Sequence, residues 1–120
     1  MSNYAKGANK EREFKALLER MDKRPRLVIR SAGSHGPVDI IQVEAAQMCA
    51  SSGHIEVPAK VTLFQVKAGG SKLSEEDAIE LHGLSEGLKV KAFLVQYVTG
   101  LKTPRIFEIT SKWMEDTYGP

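Results

Sequence analysis

The sequence is poor in cysteine and has no long apolar run, and each shortage excludes a class of protein. Cys49 is the single cysteine, which excludes the disulfide framework that stabilises many small secreted domains. No apolar stretch approaches the roughly 20 residues that a membrane-spanning helix requires. The N-terminus is polar and lacks the apolar segment of a secretion signal. We therefore expect an intracellular protein of the cytoplasm or nucleoid, encoded by a cell or by a virus, without membrane contact.

The spacings typical of nucleotide and zinc sites are also missing. Gly69 and Gly70 are adjacent, but the glycine spacing of a phosphate-binding loop is absent around them. The three histidines and Cys49 do not have the spacing of zinc ligands. We expect neither a nucleotide cofactor nor a structural zinc ion.

The length and the charge distribution give the first positive indications. A chain of 120 residues fits one domain, residues 1–120, with an ordinary core. The net charge is only +2, but residues 1–30 contain nine Lys and Arg against four Asp and Glu, which gives +5. A basic N-terminal quarter suits a polyanionic partner, and a solvated helix face is the alternative.

The apolar pattern predicts alternating helices and strands. Phe14, Leu17, Leu18 and Met21 recur at offsets of three and four, so a helix is expected from residue 5 to about 22. Ser74, followed by three acids, is an N-cap pattern for a helix that ends near residue 88. Strands are expected at residues 27–30, 38–45, 61–67, 92–98 and 105–109, and a short helix near Trp113. This order predicts an α/β domain with a mixed sheet.

Polar residues interrupt this pattern at places that a purely structural sequence would fill with apolar residues. Glu11 falls on the apolar stripe of the first helix, so its carboxylate needs a partner. Asp39 follows the turn at Gly36 and interrupts an apolar run, and Gln65 and Lys67 share one face of a strand. Taken singly, these are a helix-terminus acid, a turn residue and a solvated lysine. Together, their oxygen atoms could hold a divalent cation beside an ammonium group, which is the arrangement that phosphodiester hydrolysis requires.

Four segments resemble the motifs of a known family, in the same order along the chain. They are KGANKERE at residues 6–13, RSAGS at 30–34, VDII at 38–41 and QVK at 65–67. These segments are similar to those of the archaeal Holliday junction resolvases, which belong to the PD-(D/E)XK nuclease superfamily. The resemblance extends over most of residues 4–110.

The resemblance implies a restriction-endonuclease-like core, with a mixed central sheet of about five strands flanked by helices. It also implies a homodimer that nicks opposed strands of a four-way DNA junction symmetrically, with Mg²⁺ or alternatively Mn²⁺. By position, Glu11, Asp39 and Gln65 are expected to bind the metal, Lys67 to be the catalytic lysine, and Ser34 to lie at the edge of the site. The residues expected to bind DNA are Lys6, Lys10, Arg12, Arg30 and Lys72.

Two departures from the family pattern leave alternatives open. Gln65 stands where a glutamate is usual, and its amide oxygen can coordinate a metal but carries no negative charge. A weakened protein that only binds junctions is therefore one alternative, and a related nuclease for duplex or flap DNA is another. Residues 47–60 form a longer connection than is usual between these strands.

Overall fold

The structure is a computed structural model that describes residues 3–21, 24–31 and 36–119, with side chains from residue 7 onward. Three helices are present in these ranges: α1 (Asn3–Glu19), α2 (Glu75–Leu88) and α3 (Ser111–Tyr118). The strands are β1 (Arg26–Arg30), β2 (Ile40–Glu44), β3 (Gln47–Met48), β4 (Ile55–Val57), β5 (Lys60–Ala68), β6 (Lys91–Tyr97) and β7 (Arg105–Glu108). No helix in the described ranges has both the length and the hydropathy to cross a bilayer.

Five of the strands form one mixed sheet in the order β1-β2-β5-β6-β7. β5 and β6 are parallel, as expected for strands joined by a helix, and the other neighbours are antiparallel. β3 and β4 form a separate two-stranded sheet within the long connection from β2 to β5. The predicted α/β fold with a mixed sheet of about five strands is confirmed.

The sheet separates two apolar clusters, because successive side chains of β5 point to opposite faces. Phe64 and Val66 pack with Phe14 of α1 on one face, whereas Leu63 packs with Leu81 of α2 on the other. The ring centroids of Phe14 and Phe64 are 5.0 Å apart in an edge-to-face arrangement. α1 is thereby fixed above β5, and this contact positions the residues of the preceding helical turn over the sheet.

Local signals fix the ends of the other helices. The Ser74 hydroxyl accepts a hydrogen bond from the Asp77 amide at 3.1 Å, which confirms the predicted N-cap of α2. α3 packs beside α2, and the Tyr118 hydroxyl donates to the Leu73 carbonyl at 2.7 Å. The C-terminal helix therefore holds the segment that leads into α2.

Several predicted boundaries differ from the structure, and two of the differences have a visible cause. α1 ends at Glu19, where the chain tightens into a turn through the Met21 amide and the Leu18 carbonyl, so Met21 is exposed instead of buried. β2 begins at Ile40 and not at Val38, because the Asp39 side chain takes part in strand pairing there. Residues 32–35, which directly precede the predicted turn at Gly36, lie outside the described ranges.

Two leucines of α2 provide a matched test of this packing. Leu81 is fully buried in the cluster below α2, whereas Leu88 is 60% exposed. Leu81→Ala should lower the free energy of unfolding by about 2–5 kcal/mol, because it leaves a cavity in the core. Leu88→Ala should change it by roughly 0.5 kcal/mol or less. Chemical denaturation of both variants measures the difference, and equal effects would contradict the described position of α2.

Candidate functional site

The Asp39 carboxylate is built into the pairing of β2 with β5. Its Oδ2 accepts a hydrogen bond from the Val66 amide at 2.8 Å, and its own amide donates to the Phe64 carbonyl at 2.9 Å. Its carbonyl accepts from the Ser31 amide at 2.8 Å, so both neighbouring strands hold its backbone. The side chain is almost completely buried. Because Val66 lies between Gln65 and Lys67, the structure brings three of the predicted site residues together.

Gln65 is buried at this point with an unsatisfied acceptor. Gln65 is 5% exposed, and no hydrogen-bond donor in the described part of the chain reaches its Oε1. A buried amide oxygen without a donor costs about 1–3 kcal/mol. An electrophilic partner, either a cation or a donor from a ligand, would remove that cost.

Glu11 approaches the same end of the sheet from α1. Its Oε1 accepts from the Arg30 Nε at 3.1 Å, and both side chains are 15% exposed. Arg30 lies opposite Ile40 in the pairing of β1 with β2, next to Asp39. The expectation that a carboxylate on the apolar stripe needs a partner is met by Arg30, which holds Glu11 near the Asp39 end of β2.

Lys67 ends the buried part of β5, and its neighbour on β6 is Gln96. The Gln96 Nε2 donates to the carbonyl of Gly69 at 3.4 Å and to that of Ser71 at 3.2 Å. Gly69 has φ +60°, a conformation that favours glycine, and its amide donates to the Tyr97 carbonyl. Gln96 therefore fixes the turn that follows Lys67. Gln96 was not among the predicted site residues, although it interrupts the apolar run of β6.

The predicted DNA-binding residues are distributed along α1, β1 and the turn after β5. The Lys10 Nζ contacts the Glu13 carboxylate at 3.1 Å and lies 4.9 Å from the centre of the Tyr97 ring. Burial, with a smaller contribution from Glu13, raises the pKa of Tyr97 to about 12, so its hydroxyl stays protonated in neutral solution. Arg12 and Lys72 are exposed. The Lys6 side chain and Ser34 lie outside the described residues.

The predicted metal ligands are oxygen atoms, the type that a hard cation prefers, but they are few. Within the described ranges, no group of three or more His, Cys, Asp and Glu residues is placed to hold a metal ion. The predicted set instead combines the carboxylates of Glu11 and Asp39 with the amide oxygen of Gln65. Oxygen atoms of this kind are the ligands that magnesium and manganese prefer. The buried, unsatisfied Gln65 Oε1 is the observation that fits an added cation.

Comparison with known proteins gives matches among solved structures alone. The chain matches no protein-family model, and no curated protein is significantly similar to it. Among solved structures, it is similar to a Holliday junction resolvase from Archaeoglobus fulgidus, an archaeal hyperthermophile. The match has a TM-score of 0.57 at 18% sequence identity and covers 86% of this chain and 77% of that chain. The expected restriction-endonuclease-like fold is thereby confirmed: this chain has the fold of an archaeal Holliday junction resolvase.

Proposed function

We propose that the protein is a metal-dependent DNA endonuclease that resolves four-way (Holliday) junctions. One observation carries the proposal: the buried Asp39 carboxylate accepts a hydrogen bond from the amide of Val66, the residue between Gln65, whose Oε1 is unsatisfied, and Lys67. This arrangement occurs in a chain with the fold of a junction resolvase. An acid, an amide oxygen and an amine at one point of a sheet are the groups that metal-assisted phosphodiester hydrolysis uses.

In this proposal, Glu11, Asp39 and Gln65 hold the ion, which is magnesium or alternatively manganese. When bound, the ion supplies positive charge at the phosphate and lowers the pKa of water at the site. The Lys67 ammonium orients the attacking water and stabilises the additional negative charge on the phosphate oxygens. Arg30 holds Glu11 in place, and Gln96 fixes the turn that follows Lys67.

The charges of these side chains indicate that ion and DNA bind together. The negative charges of Glu11 and Asp39 are balanced by the positive charges of Arg30 and Lys67. A site without net charge attracts a divalent cation weakly. A phosphate group adds the missing negative charge, in line with the way magnesium commonly shares its ligands between protein and substrate phosphates.

The remaining predicted residues account for DNA binding. We propose that basic side chains of α1, β1 and the turn after β5 contact backbone phosphates, with Ser34 at the edge of the site; these are Lys6, Lys10, Arg12, Arg30 and Lys72. One nick does not resolve a junction, so two copies of the chain act as a homodimer with two sites. Such a protein acts inside the cell, where junction DNA is found.

A second candidate is a protein that binds junctions with little or no cleavage. Gln65 favours it, because replacing a carboxylate ligand by an amide removes one negative charge from the metal site. The two candidates predict the same DNA affinity and different chemistry, so a cleavage assay separates them.

The assay compares labelled four-way junction, linear duplex and flap DNA, each with magnesium or with a chelator. We expect paired, symmetric nicks in the junction alone, and only with magnesium. Cleavage of linear duplex or flap DNA would indicate a related nuclease with another substrate. Tight binding without product would support the second candidate.

Two substitutions should separate chemistry from binding. Asp39→Asn retains an oxygen for the Val66 amide but removes the negative charge, and Lys67→Ala removes the ammonium. Both should abolish cleavage while the junction affinity stays within about tenfold, or roughly 1.4 kcal/mol. The exposed α3 residues provide matched controls, Asp116→Asn and Lys112→Ala, which should cleave normally. Cleavage retained by either site variant would refute the assignment.

Gln65→Glu should strengthen magnesium binding, because a third carboxylate then faces the ion. Without metal, the same change places a negative charge next to Asp39 in a buried position, so the free energy of unfolding should fall. Calorimetric titration with magnesium and denaturation with and without the ion measure both effects. Gln47→Glu, on an exposed strand, is the matched control. An unchanged magnesium affinity would rule out coordination by this side chain.

A further inference from the structure

The turn after β5, residues 68–72, lies on the face of the sheet to which Lys67 points. Lys67 and Gln96 are partners in the parallel pairing of β5 with β6, so their side chains lie side by side. Both point to the α2 side, because Leu63 and Ala92, an earlier pair of the same strands, pack there. The Gln96 side chain reaches the turn from this face. The turn is therefore next to the Lys67 side chain as well as next to it along the chain.

Four hydrogen bonds hold the backbone of this turn. The Ser71 amide donates to the Ala68 carbonyl at 3.2 Å, and the Gly69 amide donates to the Tyr97 carbonyl at 3.0 Å. The Gln96 Nε2 donates to the carbonyls of Gly69 and Ser71, at 3.4 and 3.2 Å. One side chain of a neighbouring strand thus fixes the orientation of two peptide planes in the turn.

These two peptide planes present their amides away from Gln96. In a trans peptide the N–H and C=O groups point in opposite directions, and the described residues contain no cis bond. The carbonyls of Gly69 and Ser71 point to Gln96. The amides of the same planes, those of Gly70 and Lys72, therefore point away from it. Neither amide has an acceptor among the described residues, and both residues are exposed, so a ligand can approach them.

The charge around the turn indicates that this ligand is an anion. Residues 66–74 contain two lysines and no acid. α2 begins with three acids, but two of them lie towards α3. Burial raises the pKa of Tyr118, and the negative charges of Glu75 and Asp77 raise it further. Outward-facing backbone amides beside lysine side chains are groups that bind phosphate.

We propose that the turn binds the DNA backbone close to the phosphate that is cut, and that Gln96 is the positioning residue that holds the turn for this contact. The Gly70 and Lys72 amides and the Lys72 ammonium donate to phosphate oxygens, whereas Gln96 does not touch the DNA. Gly70 lies three residues after Lys67, a span of at most about 11 Å, and a DNA strand advances about 3.4 Å per nucleotide. The contact is therefore within about three nucleotides of the cleaved phosphate. The inference rests on the proposed function, because it takes junction DNA as the ligand.

Binding of a labelled four-way junction in the presence of a chelator tests the turn without cleavage. Gln96→Met keeps the length of the side chain and removes both donors, so the junction affinity should fall about tenfold. Lys72→Ala should weaken binding and reduce the slope of log affinity against log salt concentration by about one. Because both changes act on one contact, the double variant should bind within about threefold of the weaker single variant. Independent contacts would instead multiply the two losses.

The same substitutions at exposed positions away from the turn are the matched controls. Gln47→Met on β3 and Lys112→Ala on α3 should bind the junction as the wild-type protein does. Thermal denaturation checks that every variant is folded. If Gln96→Met is unfolded, Gln96→Glu is measured in its place, because it keeps the shape of the side chain and replaces the donor by an acceptor. It should lose at least as much affinity.

Single-turnover cleavage separates positioning of the turn from a merely structural role. Gln96→Met should raise the DNA concentration at half-maximal rate about tenfold, while the rate at saturating DNA stays within about twofold. A lower rate at saturating DNA would show that Gln96 acts on Lys67, and would overturn the proposal. Wild-type affinity in Gln96→Met, a wild-type salt slope in Lys72→Ala, or multiplied losses in the double variant would also overturn it.

The two assays distinguish failure of this inference from failure of the proposed function. A wild-type protein that cleaves junctions, with turn variants that bind normally, would overturn the phosphate-binding turn and leave the nuclease standing. Coupled losses of junction binding, in a protein that cuts no DNA, would support the turn and overturn the nuclease.

Discussion

The hydrogen bond from the Val66 amide to the Asp39 carboxylate determines the structure of the sheet where β2 begins and β5 ends. A buried backbone amide needs an acceptor, and here a side chain supplies it in place of a carbonyl group. The carboxylate is consequently held at a fixed point of β5, with Gln65 before that point and Lys67 after it along the strand. The chain places a charged group in the interior because the strand pairing itself compensates part of the cost of burying it.

The other side chains of the candidate site are positioned by the strands that neighbour Asp39 and Lys67. Arg30 lies opposite the residue that follows Asp39, and it holds Glu11 through an ion pair that is mostly shielded from water. The parallel pairing of β5 with β6 places Gln96 next to Lys67. Groups from one helix, four strand segments and one turn therefore lie at the same end of the sheet, although they are far apart along the chain.

Much of the fold could be predicted from the sequence, because period and capping are local properties. The N-cap at Ser74 and the apolar run of β6 are sufficient to predict α2 and a covered strand. The end of α1 could not be predicted, because Met21 continues the apolar spacing beyond the residue at which the backbone leaves the helix. The separate pair of β3 and β4 could not be predicted either, because short exposed strands carry only a weak hydrophobic pattern.

The candidate site could be predicted only in part. Polar residues at apolar positions indicated Glu11, Asp39 and Gln65, and the resemblance to resolvases supplied their expected roles, which stay predictions. The interaction with Val66 could not be found, since it depends on which backbone amide loses its carbonyl acceptor. Gln96 has a signal in the sequence, a polar residue within an apolar strand, but its hydrogen bonds to Gly69 and Ser71 depend on the turn that follows another strand.

The position of the long connection between β2 and β5, residues 45–59, has a consequence for how this fold can diversify. The connection leaves and returns at facing residues, Glu44 and Lys60, so its length does not alter the register of β2 against β5. The entropic cost of closing such a loop rises only slowly with length. Insertions and deletions at this end can thus be accommodated without displacing Asp39 or Gln65, and the fold can acquire new attachments there while the opposite end of the sheet is left unchanged.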